Sequence, residues 1–426
     1  MDDVARLQDW FRRGRLLPPT PAAPPIAPPS SVDLAQALAH WAQACTPPLT
    51  HRAQALRALL GAPRQIVFVL IDGLGCNLLA TLPPSAFLRR SPLAELRAVF
   101  PSTTAAAVTS LATGAWPAQH AAPGWFTYLP EHDLTATILP FVDRMQGEPL
   151  EARGITAAAV FPVPPLAHSM RAAFRPLHPA SIADSVYTRH HWGDHAEAYP
   201  DLHAGVTHLN RAVADASQPT LHMLYIPSID TAEHHHGLES VEAMVALTTV
   251  DRELARLAEA LPPNVRLVVS SDHGMLTVPD SARHLIPATD PLLAHLRVPP
   301  SGEPRVPFFH TRDGHAAAFA HDFRARFGER FALLSTQQTD DLHLWGPEPL
   351  SQTARDRIGD FIALSDGPDV FLCESPRLTQ PQTDAAAIDR HHTTAGDADP
   401  PAPYANVRGF HAGLTPSEMR IPLIVA

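Results

Sequence analysis

Asp72 closes the apolar run IVFVLID, and Asp230 and His234 lie in IPSIDTAEHHHG. Asp272 and His273 lie in VVSSDHGM, His411 in GFHAGLTPSEM, and Thr104 in FPSTTAAAVTSLATG. Together they offer two sets of hard oxygen and imidazole ligands and one hydroxyl, the composition that two-metal phosphoryl transfer requires. Asp230 and His234 are four apart, so one helical turn would put both on one side, where a carboxylate and an imidazole can hold a zinc-like ion. An isolated DxxxH is more often a polar loop, and His234–His235–His236 has that look. Asp272 and His273 are neighbours that point apart on an extended chain. They can share an ion only where the chain turns, as Gly274 permits. A hydroxyl such as that of Thr104 at a helix start is usually a cap. The same place suits an anion, because free N–H groups converge there. A threonine alkoxide does not form at neutral pH without a metal or base, and a bound cation supplies that activation. Thr103 is an alternative nucleophile and Ser102 an alternative cap.

The segments that must position these residues alternate in type. Apolar, β-branched runs at 65–72, 155–163, 220–229, 265–271 and 421–426 predict strands covered on both faces, as in a parallel sheet. Helical patterns lie between them, most clearly over 239–260. The expected fold class is α/β, a central, mostly parallel sheet sandwiched by helices. Asp72, Asp230 and Asp272 each fall at the C-terminal end of a predicted strand, where ligands collect in such folds. Residues 1–16 and 32–60 read as helical, and the proline-rich 17–30 as an extended arm. Residues 281–400 break the rhythm. The expected organisation is an N-terminal extension (1–60), a catalytic core (61–280), an inserted cap subdomain (281–404) and a return to the core (405–426).

Bulk composition excludes several classes. The chain has 426 residues, 45% of them hydrophobic, enough for a sizeable core. A net charge of −11 argues against a stable nucleic-acid partner. Cys45, Cys76 and Cys373 are odd in number and far apart, and they form neither a disulfide framework nor a cysteine-based zinc site. An acidic N-terminus without an apolar core reads as cytoplasmic rather than secreted, and no run is long enough for a membrane span. The chain has no lysine, so arginine carries all 32 positive charges. Oligomeric state is not legible.

The set IDGLG, FPSTTxxxxxSLxTGxxPxxH, DxxxHxxG, SDHGM and GFHxGxxxxEMxIPLI resembles the alkaline phosphatase superfamily, and within it the type I phosphodiesterase/nucleotide pyrophosphatase family. The resemblance covers roughly 64–280 and 405–426. It implies a hydrolase of phosphodiester or phosphoanhydride bonds, with two divalent metals and a covalent phospho-threonine intermediate. By position, Asp230, His234 and His411 would hold one metal and Asp72, Asp272 and His273 the other. The second metal would activate Thr104. Zinc is the expected metal, with manganese or iron also compatible with Asp/His donors. A small phosphodiester or nucleotide is the expected substrate.

Three departures bear on substrate class. Where many members carry a PN dipeptide after the nucleophile, this chain has Ala105–Ala106–Ala107. The asparagine that commonly contacts the phosphoryl group is missing from APGWFTY at 122–128. Trp125, Phe126 and Tyr128 in that segment could stack on a base or aryl group, although core packing suits at least two of them. Lysine clamps a monoester dianion in some relatives, and only arginine, for instance Arg144, Arg153 or Arg283, could replace it. Diesters are therefore favoured over monoesters. A phosphomonoesterase or phosphonate hydrolase of the same superfamily, or a metal-stabilised binding protein without catalysis, are the alternatives. Among the other histidines, the pairs His190–His191 and His391–His392, with His310 and His315, are expected from composition alone, and His120 and His222 from packing.

Overall fold

The computed structural model describes residues 2–20, 28–91, 93–374, 404 and 406–426. Its main sheet has seven strands, in the order Leu93–Arg97, Arg420–Val425, Val265–Ser271, Gln65–Ile71, Thr220–Ile226, Ala173–Pro179 and Glu197–Tyr199. The last five run parallel. Register matters for function: Ile71 pairs with both Ile226 and Ser271. Three strands therefore stop at one level, and the residues that follow them (Asp72, the turn into Asp230, and Asp272) emerge side by side.

The central strands are apolar throughout because helices cover both faces. Alternation sorts their side chains. Ile66, Phe68, Leu70, Leu221, Met223 and Tyr225 face one core, with Ala105 and Val108 from helix Thr104–Thr113 and Leu34 and Leu38 from helix Ser31–Trp41. Val67, Val69, Ile71, Leu224 and Ile226 face the other, against Leu247, Val250, Leu254 and Leu257 of helix Val241–Ala260. The α/β sandwich expected from the alternation is the architecture found.

A second seven-stranded sheet has the order Ala332–Ser335, Phe361–Leu364, Val306–Phe309, Ser301–Glu303, Phe126–Leu129, Leu134–Thr137 and Val142–Asp143. It draws on two segments, 126–143 and 301–364, that each lie between main-sheet strands, joined where Gly302 pairs with Phe126. Phe309, Phe319, Phe323, Phe327, Phe331 and Phe371 form its own buried cluster. Each ring contributes about 1.5–3 kcal/mol on burial.

Three strand expectations need correction. Residues 155–163 form no strand; Ala157–Val160 is a helical turn capped by the Thr156 side chain. Its alanines favour helix, and a short apolar run does not distinguish the two states. The C-terminal run is a strand, but Arg420–Val425 is antiparallel to both neighbours, since composition carries no strand direction. Leu93–Arg97, Ala173–Pro179 and Glu197–Tyr199 were not anticipated, being short or interrupted by prolines and charges. Residues 21–27 of the proline-rich arm, His391 and His392 lie outside the described residues. No helix among those described is long and apolar enough to cross a membrane.

Candidate active site

All seven residues singled out in the sequence meet at the C-terminal edge of the main sheet. Asp72, Asp272, His273, His411 and Thr104 are buried. Asp230 and His234 lie on helix Ser228–His236, with His234 Nε2 3.4 Å from Asp230 Oδ1. His411 Nε2 is 3.2 Å from His234 Nε2 and 3.9 Å from Asp230 Oδ1. His273 Nε2 is 3.3 Å from Asp72 Oδ1 and 3.5 Å from Asp272 Oδ2. Donor atoms of Asp72, Asp272 and His273 lie within 4.8 Å of one another, and so do those of Asp230, His273 and His411. His273 thus stands between the two groups, its ring stacked on His411 at 3.8 Å.

The imidazoles are oriented from behind. Nδ1 of His234, His411 and His273 faces the backbone carbonyls of Gly409 (2.8 Å), Ser102 (3.0 Å) and Gly274 (3.2 Å). A carbonyl can only accept, so each Nδ1 carries the proton and each Nε2 presents a bare lone pair inward. Burial keeps the rings neutral, pushing His273 down to about 3 and His234 to about 4, and His411 well below the ordinary histidine range. Two lone pairs 3.2 Å apart repel unless a cation stands near them. The buried Asp230 Oδ1 and Asp272 Oδ2 have no hydrogen-bond partner. Burial raises the Asp230, Asp72 and Asp272 carboxyls, with mutual repulsion adding at Asp72 and Asp230, and Asp272 reaches about 6. Unpaired buried acids beside inward lone pairs are costly unless cations are bound, so this donor set fits divalent metals.

Thr104 opens helix Thr104–Thr113, with Thr103 at the N-cap making no side-chain cap. The Thr104 hydroxyl lies 3.1 Å from His273 Nε2 and 3.5 Å from Asp72 Oδ1. The Thr103 hydroxyl instead donates to Glu303 Oε1 at 2.7 Å, and that of Ser102 to the Gly413 carbonyl at 2.7 Å. Of the three hydroxyls, only that of Thr104 joins the ligand cluster among the described contacts. Gly274 is needed for a reason other than a turn: a Cβ there would lie 2.1 Å from the Ser417 carbonyl oxygen. Gly73, at φ +76°, would press a Cβ to 3.0 Å from Asp230 Cα.

Five residues escaped sequence reasoning. Tyr225 donates a short hydrogen bond to Asp72 Oδ2. Glu303 accepts from the Trp125 N–H as well as from Thr103, both at 2.7 Å. Glu418 and Arg305 form a fully buried pair behind the His411 loop. Of these, only Tyr225 and Glu418 lay inside runs that the sequence had already marked. Glu233, wholly buried with neither carboxyl oxygen partnered, sits one residue before His234.

A cavity of about 360 Å³ opens from Thr104, Asp72, Asp230, His234 and His411. Trp125, Phe126, Leu139, Ile182, Trp192 and Phe410 wall it with apolar surface. Tyr128 turns instead to Asp133 and His310. No arginine lines it among the described residues. Arg144 lies over the Phe126 ring and bonds the Pro300 carbonyl, Arg153 pairs with Asp143, and Arg283 bonds the Tyr404 and Val407 carbonyls. His120 bonds Ser110 and the Ala122 N–H, and His222 bonds Gln65, as packing residues do.

Solved structures share this fold. Murine ectonucleotide pyrophosphatase / phosphodiesterase 5 is similar in structure, with a TM-score of 0.59 at 16% identity over 84% of this chain and 87% of that one. An inactive form of it in complex with AMP matches equally well. Phosphonoacetate hydrolase from Sinorhizobium meliloti, in complex with phosphonoformate, has a TM-score of 0.53 at 18% identity over 85% of this chain and 90% of that one. At such identities these likenesses speak to fold alone. No curated protein sequence matches the chain. The model of type I phosphodiesterase / nucleotide pyrophosphatase matches residues 66–395, most of the chain, and the chain therefore belongs to that family of phosphoester hydrolases.

Proposed function

We propose that this protein hydrolyses phosphodiester or phosphoanhydride bonds by covalent catalysis at Thr104. The observation that carries the reading is the Thr104 hydroxyl, set between His273 Nε2 and Asp72 Oδ1 at the mouth of an apolar cavity. In this reading Asp72, Asp272 and His273 hold one divalent ion, and Asp230, His234 and His411 another. Such ions, zinc being the expected one, supply charge to acidify the threonine hydroxyl and to stabilise the leaving oxygen.

The remaining work falls to the chain. Thr104 Oγ1 passes its proton to solvent and attacks phosphorus; the bond to the leaving oxygen breaks as the Thr104 O–P bond forms, and that oxygen departs as an alcohol or phosphate, taking any proton it needs from water. The other ester group stays on phosphorus, in the apolar cavity. Water then attacks the same phosphorus in line, freeing Thr104 and a phosphate monoester. The first free N–H groups of helix Thr104–Thr113 face the phosphoryl oxygens, as anions at helix starts require. They supply the contact that the missing asparagine makes elsewhere.

A cavity lined by no arginine among the described residues supports a singly charged diester over a dianionic monoester. The likeness to a phosphonoacetate hydrolase supports a second reading, phosphonate hydrolysis. It is weaker, because phosphonoacetate carries a carboxylate as well as a phosphonate and would need a cation that none of the described lining residues presents. Turnover of bis(p-nitrophenyl) phosphate against p-nitrophenyl phosphate, with zinc-loaded protein at mildly alkaline pH, tests the choice. Faster diester cleavage supports the proposal, and faster monoester cleavage refutes it.

A further inference from the structure

The cavity that receives the substrate is acidic on two sides. Asp72 and Asp230 face it from the main sheet, and Glu303 faces it from the second. The histidines that line it are held neutral by burial. Glu303 is an unexpected residue beside a phosphoryl site, where a negative charge opposes an incoming anion. It is also fixed in place. Its Oε1 accepts the Thr103 hydroxyl and the Trp125 N–H, each at 2.7 Å, so the carboxyl is locked one residue away from Thr104. The buried Arg144 guanidinium favours its charged form from a distance, but no arginine hydrogen-bonds or ion-pairs with it among the described contacts. Arg305 spends its bonds on Glu418, Gly367 and Asp369, and Arg144 bonds the Pro300 carbonyl.

We propose that Glu303 is a charge filter, whose carboxylate discriminates against substrates that bring a second negative charge to phosphorus and thereby sets a preference for diesters. The inference rests on the diester reading above. Two divalent ions would be balanced by Asp72, Asp230, Asp272 and Glu303 together. A diester monoanion then brings one charge to a site whose metal charge is already largely balanced. A monoester dianion, or a terminal phosphate, adds a further charge that none of the described lining residues offsets, close to a fixed carboxylate. Burial pushes Glu303 up to about 7, so at pH 8.5 the carboxylate form is present.

Glu303→Gln removes the charge while leaving an oxygen to accept from Thr103 and Trp125. The experiment compares kcat/KM for p-nitrophenyl phosphate and bis(p-nitrophenyl) phosphate at pH 8.5, in zinc-loaded wild type and variant. For one charge lost at several ångströms and an intermediate dielectric, the monoester-to-diester ratio should rise roughly tenfold to a hundredfold. An unchanged or lower ratio overturns the filter, and a parallel fall in both substrates would mark Glu303 as only positioning Thr103 and Trp125. The wild-type ratio alone tests the diester reading, whereas its change on substitution tests Glu303, so the two can fail separately. If Glu303→Gln does not fold, Glu303→Met, which also removes the charge, keeps the comparison. The filter predicts the same rise in the monoester-to-diester ratio in that variant, and an unchanged ratio overturns it.

Discussion

Replacing Glu418 with alanine should destabilise the protein by about 3–5 kcal/mol, the cost of removing one partner of a buried ion pair, and should empty the metal position that His411 serves. Glu418 is fully buried, as is its partner. It accepts Arg305 Nε and Nη2 at 3.0 Å each, the Gly413 N–H at 2.8 Å, and the Thr415 hydroxyl and N–H at 2.7 and 3.2 Å. The change strands the Arg305 guanidinium inside the protein. It also frees the Gly413 N–H, two residues beyond His411, each orphaned group costing roughly 1–3 kcal/mol. These costs share one network and are not summed. The contrast is Asp280, which pairs with Arg408 at a side-chain exposure of 87% and 50%. Asp280→Ala should change stability by no more than about 1 kcal/mol. Urea unfolding of metal-free protein gives the stability difference, and elemental analysis after dialysis gives the metal content. A Glu418→Ala protein within 1 kcal/mol of wild type, or one with full metal content, would refute the reasoning.

Asp230→Ala and His411→Ala should each lose one metal equivalent and most activity, and unchanged stoichiometry in elemental analysis would dismiss their assignment. Tyr225→Phe removes the hydrogen bond to Asp72 Oδ2 and should weaken metal affinity or turnover roughly 10- to 100-fold, read by chelator competition and kcat; wild-type values would leave Tyr225 a packing residue. Metal affinity should climb as pH rises through about 6 and beyond. The site histidines, held near 3 to 4 or lower, have no proton to lose there, whereas Asp272 at about 6 and the raised Asp72 and Asp230 do. Metal must displace those protons, so calorimetry in buffers of differing ionisation enthalpy should register proton release, and an affinity flat from pH 5.5 to 7.5 would contradict the assigned protonation.

The sequence made the ligand set legible because each ligand follows a long apolar strand or sits in a glycine-flanked motif. Asp72, Asp230 and Asp272 could be placed at strand ends by pattern alone, and the register of Ile71 with Ile226 and Ser271 puts them together. What sequence reasoning missed depends on contacts across long separations. Glu303 meets Thr103 across 200 residues, and Arg305 meets Glu418 across 113. No local periodicity carries such a pairing. The cavity wall was half legible: Trp125 and Phe126 stood out as aromatic, but Leu139, Ile182 and Trp192 come from segments that read as irregular. The run at 155–163 misled because a short apolar run fits either state, and only its alanines and the Thr156 cap mark the helical turn.

The central claim is that Thr104, and not Thr103 or water, attacks phosphorus. Acid-quenching the zinc-loaded protein during turnover of bis(p-nitrophenyl) phosphate, followed by peptide mass spectrometry, tests it most directly. The account predicts a p-nitrophenyl phosphoryl adduct on Thr104, absent from a Thr104→Ala protein that keeps its metals but no longer turns over. An adduct on Thr103, or undiminished turnover by Thr104→Ala, would contradict it.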